Sequence, residues 1–262
     1  MVVVINFGGQ FAHLIARRVR DLGVRSELLQ PNTPLATLKK LSPDAIIFSG
    51  SPHSCYDKNA PIVDPKIYDL DVPILGICYG LQLMAYQFKA KVTSHQSKQF
   101  GKEKLTLKKS PLFKSLKSEE IVWFSHGDQV DTLPAGFKII GSSKNAKIAA
   151  IENVKKRLFA IQFHPEVTHT AGGQKILENF LFNISKVKKD WNLFEVKNQI
   201  VASLKKEIGN EKIIMAVSGG VDSLVCATLI KEAAPDNLYL IFIDTGLMRK
   251  GEIAEVEKII KT

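Results

Sequence analysis

Cysteine is scarce in this chain of 262 residues, which holds only Cys55, Cys78 and Cys226. An odd number without close metal-ligand spacing argues against a disulfide framework and a zinc cluster, and leaves at least one thiol free for chemistry. No apolar run is long and clean enough to span a membrane, because the longest uncharged stretch, Val72 to Phe88, is interrupted by Pro73, Gly76, Gly80, Gln82 and Gln87. The amino terminus has no positive region ahead of its apolar residues and runs at once into Gly8-Gly9-Gln10, so it reads as a buried strand rather than a signal peptide. These absences predict a cytoplasmic protein without a membrane partner. No Gly-x-x-x-x-Gly-Lys-[Ser/Thr] motif is present, which argues against a Walker-type kinase or GTPase. Acidic residues are outnumbered, 26 to 36, for a formal net charge of +10. Such an excess attracts phosphates of any kind. The lysines fall in short scattered groups without interleaved aromatics, however, and read as a solvated surface with no nucleic-acid partner.

What is present is ordinary for a folded protein. With 45% hydrophobic and 24% charged residues, disorder and low-complexity arrays are excluded, and the length suits one large or two modest domains. Short β-branched runs alternate with helical patterns, which means an α/β fold. Val2 to Phe7 reads as a strand, Leu14 to Leu22 as a helix stopped by Gly23, and Asp44 to Phe48 as another strand. Between Lys91 and Phe163 the helical period fades and runs near 121–124, 137–140, 148–151 and 158–163 suggest added strands; a helix from Gly173 to about Ile184 closes the unit. The charged segment Lys186 to Asp190 marks a linker, placing a domain boundary at 187, with residues 1–187 on one side and 188–262 on the other. Beyond it come a helix over about 191–207, a strand over 212–217, a glycine turn, a helix from Asp222, a strand over 238–243 and a last helix from about Glu252.

Chemistry gathers first at Gly76-Ile77-Cys78-Tyr79-Gly80, which follows a buried-strand run and precedes a helical one. Glycines two residues either side of a nucleophile relieve crowding at a sharp strand–helix turn, and the helix amino terminus stabilises a negatively charged sulfur. Taken alone, Cys78 reads equally well as a small buried hydrophobe. A base is available in Phe163-His164-Pro165-Glu166, where Pro165 keeps His164 extended so that Glu166, two residues on, faces the same way and can orient the imidazole. The joint pattern is that of a triad. The turn Phe48 to Pro52 after a strand, together with the Tyr79 N–H, offers two backbone donors for an oxyanion.

A second constellation is Ile213 to Val217 leading into Ser218, Gly219, Gly220, Val221, Asp222 and Ser223, then a helix containing Leu224, Val225, Ala227, Leu229 and Ile230. Strand, glycine-rich turn and helix amino terminus present N–H groups to an anion and read as a phosphate grip. Cys226 is expected on the buried face of that helix. Gly8 and Gly9 read as turn residues, and Arg17 and Arg18 as a solvated helix face.

Ser49-Gly50-Ser51-Pro52, Gly76 to Gln82 and Gln162 to Val167 together resemble the class I glutamine amidotransferases over about residues 1–185. The resemblance implies a flavodoxin-like mixed sheet with flanking helices. It implies glutamine hydrolysis through a cysteinyl thioester, with Cys78 as nucleophile, His164 as general base and acid, and Glu166 as its orienting partner. It further implies oxyanion donors at the amides of Ser51 and Tyr79, and glutamine contacts at Gln82 and at a loop of Ser125, His126, Gly127 and Asp128. Many relatives carry Gly where this chain has Ser51; since the amide rather than the side chain would act, Ser51 is expected to be tolerated, although a restricted backbone would make the hole less readily formed.

The phosphate grip resembles the pyrophosphate loop of ATP pyrophosphatases, which implies ATP bound at Ser218 to Leu224 and the start of an adenine-nucleotide α-hydrolase-like parallel sheet. The order of the two parts, followed by Phe242 to Lys250, is similar to the family of glutamine-hydrolysing GMP synthetases. That similarity implies glutamine, ATP and XMP as substrates and Mg2+ as cofactor, with ligands the sequence leaves undetermined beyond the candidates Asp222 and Asp244. It also implies a longer ATP domain and a dimerisation domain beyond Thr262 and a homodimer in the full-length family. On physical grounds a remnant of two or three strands exposes apolar sheet edges, which predicts poor order or aggregation after about residue 190. Two contrasting readings are a nucleotide-binding regulatory module without turnover and an ATP-dependent tRNA-modifying protein; both leave Cys78, His164 and Glu166 unused.

Overall fold

The computed structural model of the chain describes residues 1–244, 246, 249 and 251–260; within the segment Phe242 to Lys250, Thr245, Leu247, Met248 and Lys250 lie outside the described residues. The chain forms two compact units, Met1–Trp191 and Asn192–Thr262. The first unit continues past the boundary read at 187 because Asp190 and Trp191 both donate their backbone N–H to the Gly23 carbonyl at 3.0 Å, and Arg20 lies over the Trp191 ring. Among the described residues no helix is long and apolar enough to cross a membrane.

In chain order the first unit runs β1 (Val2–Ile5), α1 (Ala12–Asp21), β2 (Ser26–Leu29), α2 (Leu35–Leu41), β3 (Ala45–Phe48), β4 (Ile74–Ile77) and α3 (Tyr79–Gln87). It continues with β5 (Val92–Leu107), β6 (Glu119–Val130), β7 (Lys138–Ser143), β8 (Ala150–Asn153), β9 (Leu158–Ile161) and α4 (Gly173–Glu178). The expected single helix to Ile184 is instead α4 followed by a π-helical turn, Asn179–Ile184. All nine strands share one sheet in the order β2-β1-β3-β4-β9-β8-β7-β5-β6. The strands from β2 to β9 are parallel, and those beyond β9 are antiparallel.

Strands β1, β3, β4 and β9 are buried at every residue. That is why they read as unbroken apolar runs: helices cover both faces, so neither face needs to be polar. Side chains alternate between the faces. Val2 and Val4 join a core with Ile15, Ala16 and Val19 of α1, while Val3 and Ile5 join another with Leu38 of α2 and Leu81 and Met84 of α3. The strand β5 escapes a reading by periodicity because it belongs to a long exposed hairpin with β6, rich in Lys and Gln, with a register shift between Ser94 and Gln99. The Ser125–Asp128 segment, expected as a loop, lies inside β6, where buried residues alternate and Phe124, His126 and Asp128 face inward.

In the second unit α5 (Leu193–Ile208), β10 (Ile213–Val217), α6 (Val221–Ala233), β11 (Leu238–Phe242) and α7 (Glu252–Ile260) form a two-stranded parallel sheet with helices. Helix α5 buries none of its residues, and α6 buries only Ala227 and Ala233. Cys226 is therefore exposed, contrary to expectation. Ile214, Tyr239, Ile241 and Ile243 are exposed as well.

Candidate active site

Parallel strands deliver their carboxyl ends to one edge of the sheet, and β1, β3, β4 and β9 are adjacent. The register pairs Ile5 with Phe48, Phe48 with Gly76, and Ile77 with Ile161. The segments that follow these residues, Gly8-Gly9, Ser49-Gly50-Ser51, Cys78 and His164, consequently meet there, at the kind of edge where open α/β sheets bind ligands. Gly8, Gly9, Gly50, Ser51, Cys78 and His164 line a cavity of about 570 Å³, together with Phe11, Gln82, Lys98 and the Ser125–Asp128 segment. The size suits a small molecule.

Cys78 caps α3 with φ 55° and ψ −105°, a conformation that L side chains rarely adopt. The turn is tight enough to dictate its flanking residues. A Cβ at Gly76 would lie 2.6 Å from the Gly80 carbonyl oxygen, and one at Gly80 would lie 2.7 Å from Phe48 Cβ. The Cys78 N–H donates to the Ile161 carbonyl at 2.8 Å, and Gln162 Nε2 points at Sγ at 3.7 Å.

His164 and Glu166 are 4% and 0% exposed, and the Nδ1 of the ring donates to Glu166 Oε1 at 2.7 Å. That bond leaves Nε2 for Cys78. Burial by itself favours the neutral imidazole; the charge of and hydrogen bond to Cys78, and then Glu166, outweigh it and push the His164 pKa up to about 10. A buried histidine beside a cysteine, oriented by a carboxylate, is the arrangement of an activated thiol nucleophile. The backbone of His164 is pinned as well: its N–H donates to the Trp123 carbonyl at 3.0 Å, and its carbonyl accepts from Thr170 Oγ1 at 2.6 Å.

The N–H groups of Ser51 and Tyr79 donate to no acceptor among the described residues. Tyr79 itself is buried, its hydroxyl donating to the Pro61 carbonyl. Gln82 lines the cavity, but its Nε2 is taken by the Asp128 carbonyl at 2.8 Å, which leaves Oε1 for a ligand. His126 donates from Nδ1 to the same carbonyl at 2.8 Å, so its Nε2 is an acceptor, and it has no partner among the described residues. Burial pushes the His126 pKa down to about 4, which keeps the ring neutral near pH 7. Asp128 accepts from the Tyr56 hydroxyl at 3.2 Å.

Four contributors were not identified from the sequence. Arg18, expected on a solvated face, donates from Nε to the Glu166 carbonyl at 2.9 Å. Phe11 meets the His164 ring edge-on with centroids 5.1 Å apart, Gln162 faces Sγ, and Gly9 does more than turn, since a Cβ there would lie 2.4 Å from the Gly50 carbonyl oxygen. Gln162 was legible as part of the string around His164; the other three had no local signal.

In the second unit the loop after β10 is closed by its own serines. Ser218 Oγ accepts from the Gly220 N–H at 3.3 Å, and Ser223 Oγ donates to the Gly220 carbonyl at 2.9 Å. Gly219 has φ 81°, and Asp222 stands in the first turn of α6. Register pairing of Val217 with Phe242 brings this loop and Asp244 to the same sheet edge. Among the described residues no three His, Cys, Asp or Glu side chains group to hold a metal. Asp222 and Asp244 are two carboxylates of the type Mg2+ uses alongside phosphate oxygens.

The family model of class-I glutamine amidotransferases matches residues 3–184. A protein named GMP synthase [glutamine-hydrolyzing] from Carboxydothermus hydrogenoformans is 47% identical over 261 residues, 99% of this chain and 51% of its own length. One of the same name from Caldicellulosiruptor saccharolyticus is 47% identical over 262 residues, again 51% of its own length. The chain thus spans about half the length of the curated relatives it matches. Among solved structures, a protein from Thermoplasma acidophilum described as a candidate GMP synthase subunit is 30% identical with a TM-score of 0.64, covering 75% of this chain and 96% of its own. A glutamine amidotransferase from Thermotoga maritima, at 16% identity and a TM-score of 0.58, covers 71% of this chain and 97% of its own and shares the fold.

Proposed function

The chain belongs to the class I glutamine amidotransferases, and from that premise we propose that its first unit hydrolyses glutamine to glutamate and ammonia, with Cys78, His164 and Glu166 as the catalytic triad. Cys78 Sγ attacks the carboxamide carbon, and the N–H groups of Ser51 and Tyr79 receive the developing oxyanion. His164 passes its proton to the departing nitrogen, leaving a thioester and free ammonia. The neutral imidazole then takes a proton from water, the hydroxide attacks the thioester, and glutamate leaves as the proton returns to sulfur. Glu166, wholly buried, fixes the ring so that Nε2 faces sulfur throughout. The observation that carries this reading is the buried 2.7 Å contact from His164 to Glu166, in a cavity lined by both His164 and Cys78, where a Cβ at Gly50 would be 3.5 Å from His164 Cε1 and 3.8 Å from Cys78 Cβ. Gln82 Oε1, the His126 Nε2 acceptor and Asp128 are suited to the N–H donors of bound glutamine.

The relatives' names and the order of the two units support a further step. Ammonia from the first unit would aminate XMP to GMP, after ATP bound at Ser218 to Leu224 adenylylates the XMP oxygen and releases pyrophosphate. Ammonia then displaces AMP. The N–H groups at the start of α6 would hold the phosphates. Mg2+, held by Asp222 or Asp244, would supply charge neutralisation at the pyrophosphate oxygens.

The test supplies glutamine, ATP, Mg2+ and XMP and follows glutamate and GMP separately. Glutamate with GMP supports both steps in this chain. Glutamate without GMP confines the activity of this chain to glutamine hydrolysis. Glutamate formed equally well by Cys78→Ala rejects the triad. Asp222→Ala is expected to leave glutamine hydrolysis intact and to weaken ATP binding.

A further inference from the structure

Ser49 has no place in the triad, yet it is wholly buried beside the site. Its hydroxyl accepts a hydrogen bond from the Phe7 N–H at 3.1 Å and donates to the Gly50 carbonyl oxygen at 3.0 Å. The same carbonyl is walled in from the other side by Gly9, where a Cβ would stand 2.4 Å from the oxygen and 2.6 Å from the carbon. The Ser49 backbone N–H is tied to β1 through the Ile5 carbonyl at 3.1 Å. The Gly50 carbonyl is therefore enclosed by two groups, one of them anchored to the sheet.

A trans peptide is planar, with C=O and N–H on opposite sides. Holding the Gly50 carbonyl toward Ser49 and Gly9 turns the Ser51 N–H the other way, and that N–H donates to no acceptor among the described residues. Gly50 itself abuts the reactive pair: a Cβ there would be 3.5 Å from His164 Cε1 and 3.8 Å from Cys78 Cβ. We infer that Ser49 is a positioning residue, whose hydroxyl relays a hydrogen bond from the Phe7 N–H, just beyond β1, to the Gly50 carbonyl and so keeps the Ser51 N–H presented as an oxyanion donor. The inference rests on the amidotransferase reading of this cavity. Without the hydroxyl the peptide is free to rotate, and an acceptor oxygen can take the place of the donor.

The test compares Ser49→Ala and Gly9→Ala with the parent chain. Gly9→Ala drives a methyl group into the Gly50 carbonyl and is independent of any packing defect at Ser49. Each is measured for kcat and KM of glutamine hydrolysis, for affinity toward the aldehyde analogue of glutamine, and for chloroacetamide alkylation at Cys78. The aldehyde forms a thiohemiacetal carrying the oxyanion. Alkylation needs no oxyanion donor, and it is read by peptide mass spectrometry so that exposed Cys226 does not interfere. Removal of an oxyanion donor outright costs about 10²–10³ in kcat. Loss of its positioning is expected to lower kcat about 10–100-fold, with aldehyde affinity falling in step and KM and alkylation rate within about twofold of the parent. A kcat within about twofold of the parent in both variants overturns the inference, as does a parallel fall of alkylation and kcat, which marks general collapse of the site. Failure of the amidotransferase reading looks different: Cys78→Ala would then retain full activity whatever Ser49 does.

Discussion

In the first unit a strand ends at Ile77, turns through Cys78 with φ 55° and enters a helix at Tyr79; in the second a strand ends at Val217, turns through Gly219 with φ 81° and enters a helix at Val221. The local device is the same: in both, a strand ends in a sharp turn that leads straight into a helix amino terminus. Their surroundings differ. Around Cys78 the helix is buried from Tyr79 to Ala85 and the partners Gln162, His164 and Glu166 are no more than 4% exposed. Around Gly219 the loop serines bond mainly to their own loop, and Asp222 is exposed. Cys78 combines φ 55° with ψ −105°, outside the small left-handed region, and such strain on a side-chain-bearing residue persists where the surroundings over-determine it, which the first unit does through Gly76, Gly80 and the Ile161 carbonyl. Where they do not, glycine takes the position at no steric cost. Covalent catalysis needs the first kind of site, whereas gripping a phosphate through backbone N–H groups needs only the second.

That contrast can be broken most severely at sulfur. Cys78→Ala should lower glutamine turnover by at least about 10⁴-fold while leaving ATP retention by the second unit unchanged; an equal loss of both would mean that the two sites are not separable. Next in size, Glu166→Gln should cost about 10²–10⁴-fold in kcat, as expected for an imidazole that loses its orienting acceptor. Denaturation in urea should then separate the units. Ile161→Ala, at a wholly buried position of β9, should destabilise the first unit by about 2–5 kcal/mol.

Acid should act on the first unit through His126. Its folded pKa, about 4, lies below the unfolded value of 6.5, so the unfolded chain binds the proton more readily. The His126 contribution is complete above about pH 6.5 and is lost as the pH falls toward 4, on the order of 3 kcal/mol. The pH dependence of the urea midpoint should show this slope, and His126→Gln should remove it. The smallest effect is expected at Ile214 of β10, which is 72% exposed. Ile214→Ala should change stability by about 0.5 kcal/mol or less, and a loss comparable with that of Ile161→Ala would erase the distinction between the two units.

Much of the first site was legible because its chemistry is local. The glycine spacing around Cys78 and the alternation of His164 with Glu166 are constraints between residues two positions apart, and apolar runs announced β1, β3, β4 and β9. The hairpin of β5 and β6 was only partly legible, since an exposed ribbon carries too many polar residues for a clear period. Reading Ser125–Asp128 as a loop failed for the same reason: polar residues that face a cavity look like residues that face water. Cys226 was misplaced because the expectation of a buried face presumes a covering layer, and α6 buries only two alanines in this unit.

The sequence by itself therefore determined the α/β alternation, the strand–turn–helix at Cys78 and at Gly219, and the candidate partners of the thiol, since each follows from backbone sterics and side-chain period over a few residues. Only the tertiary structure decided that four strand ends converge, that Arg18 reaches the Glu166 carbonyl across 148 residues, and that the Ser49 hydroxyl joins Phe7 to Gly50. Those are contacts between segments distant in sequence. Their distances are set by how parallel strands register within one sheet, and no short-range pattern encodes them.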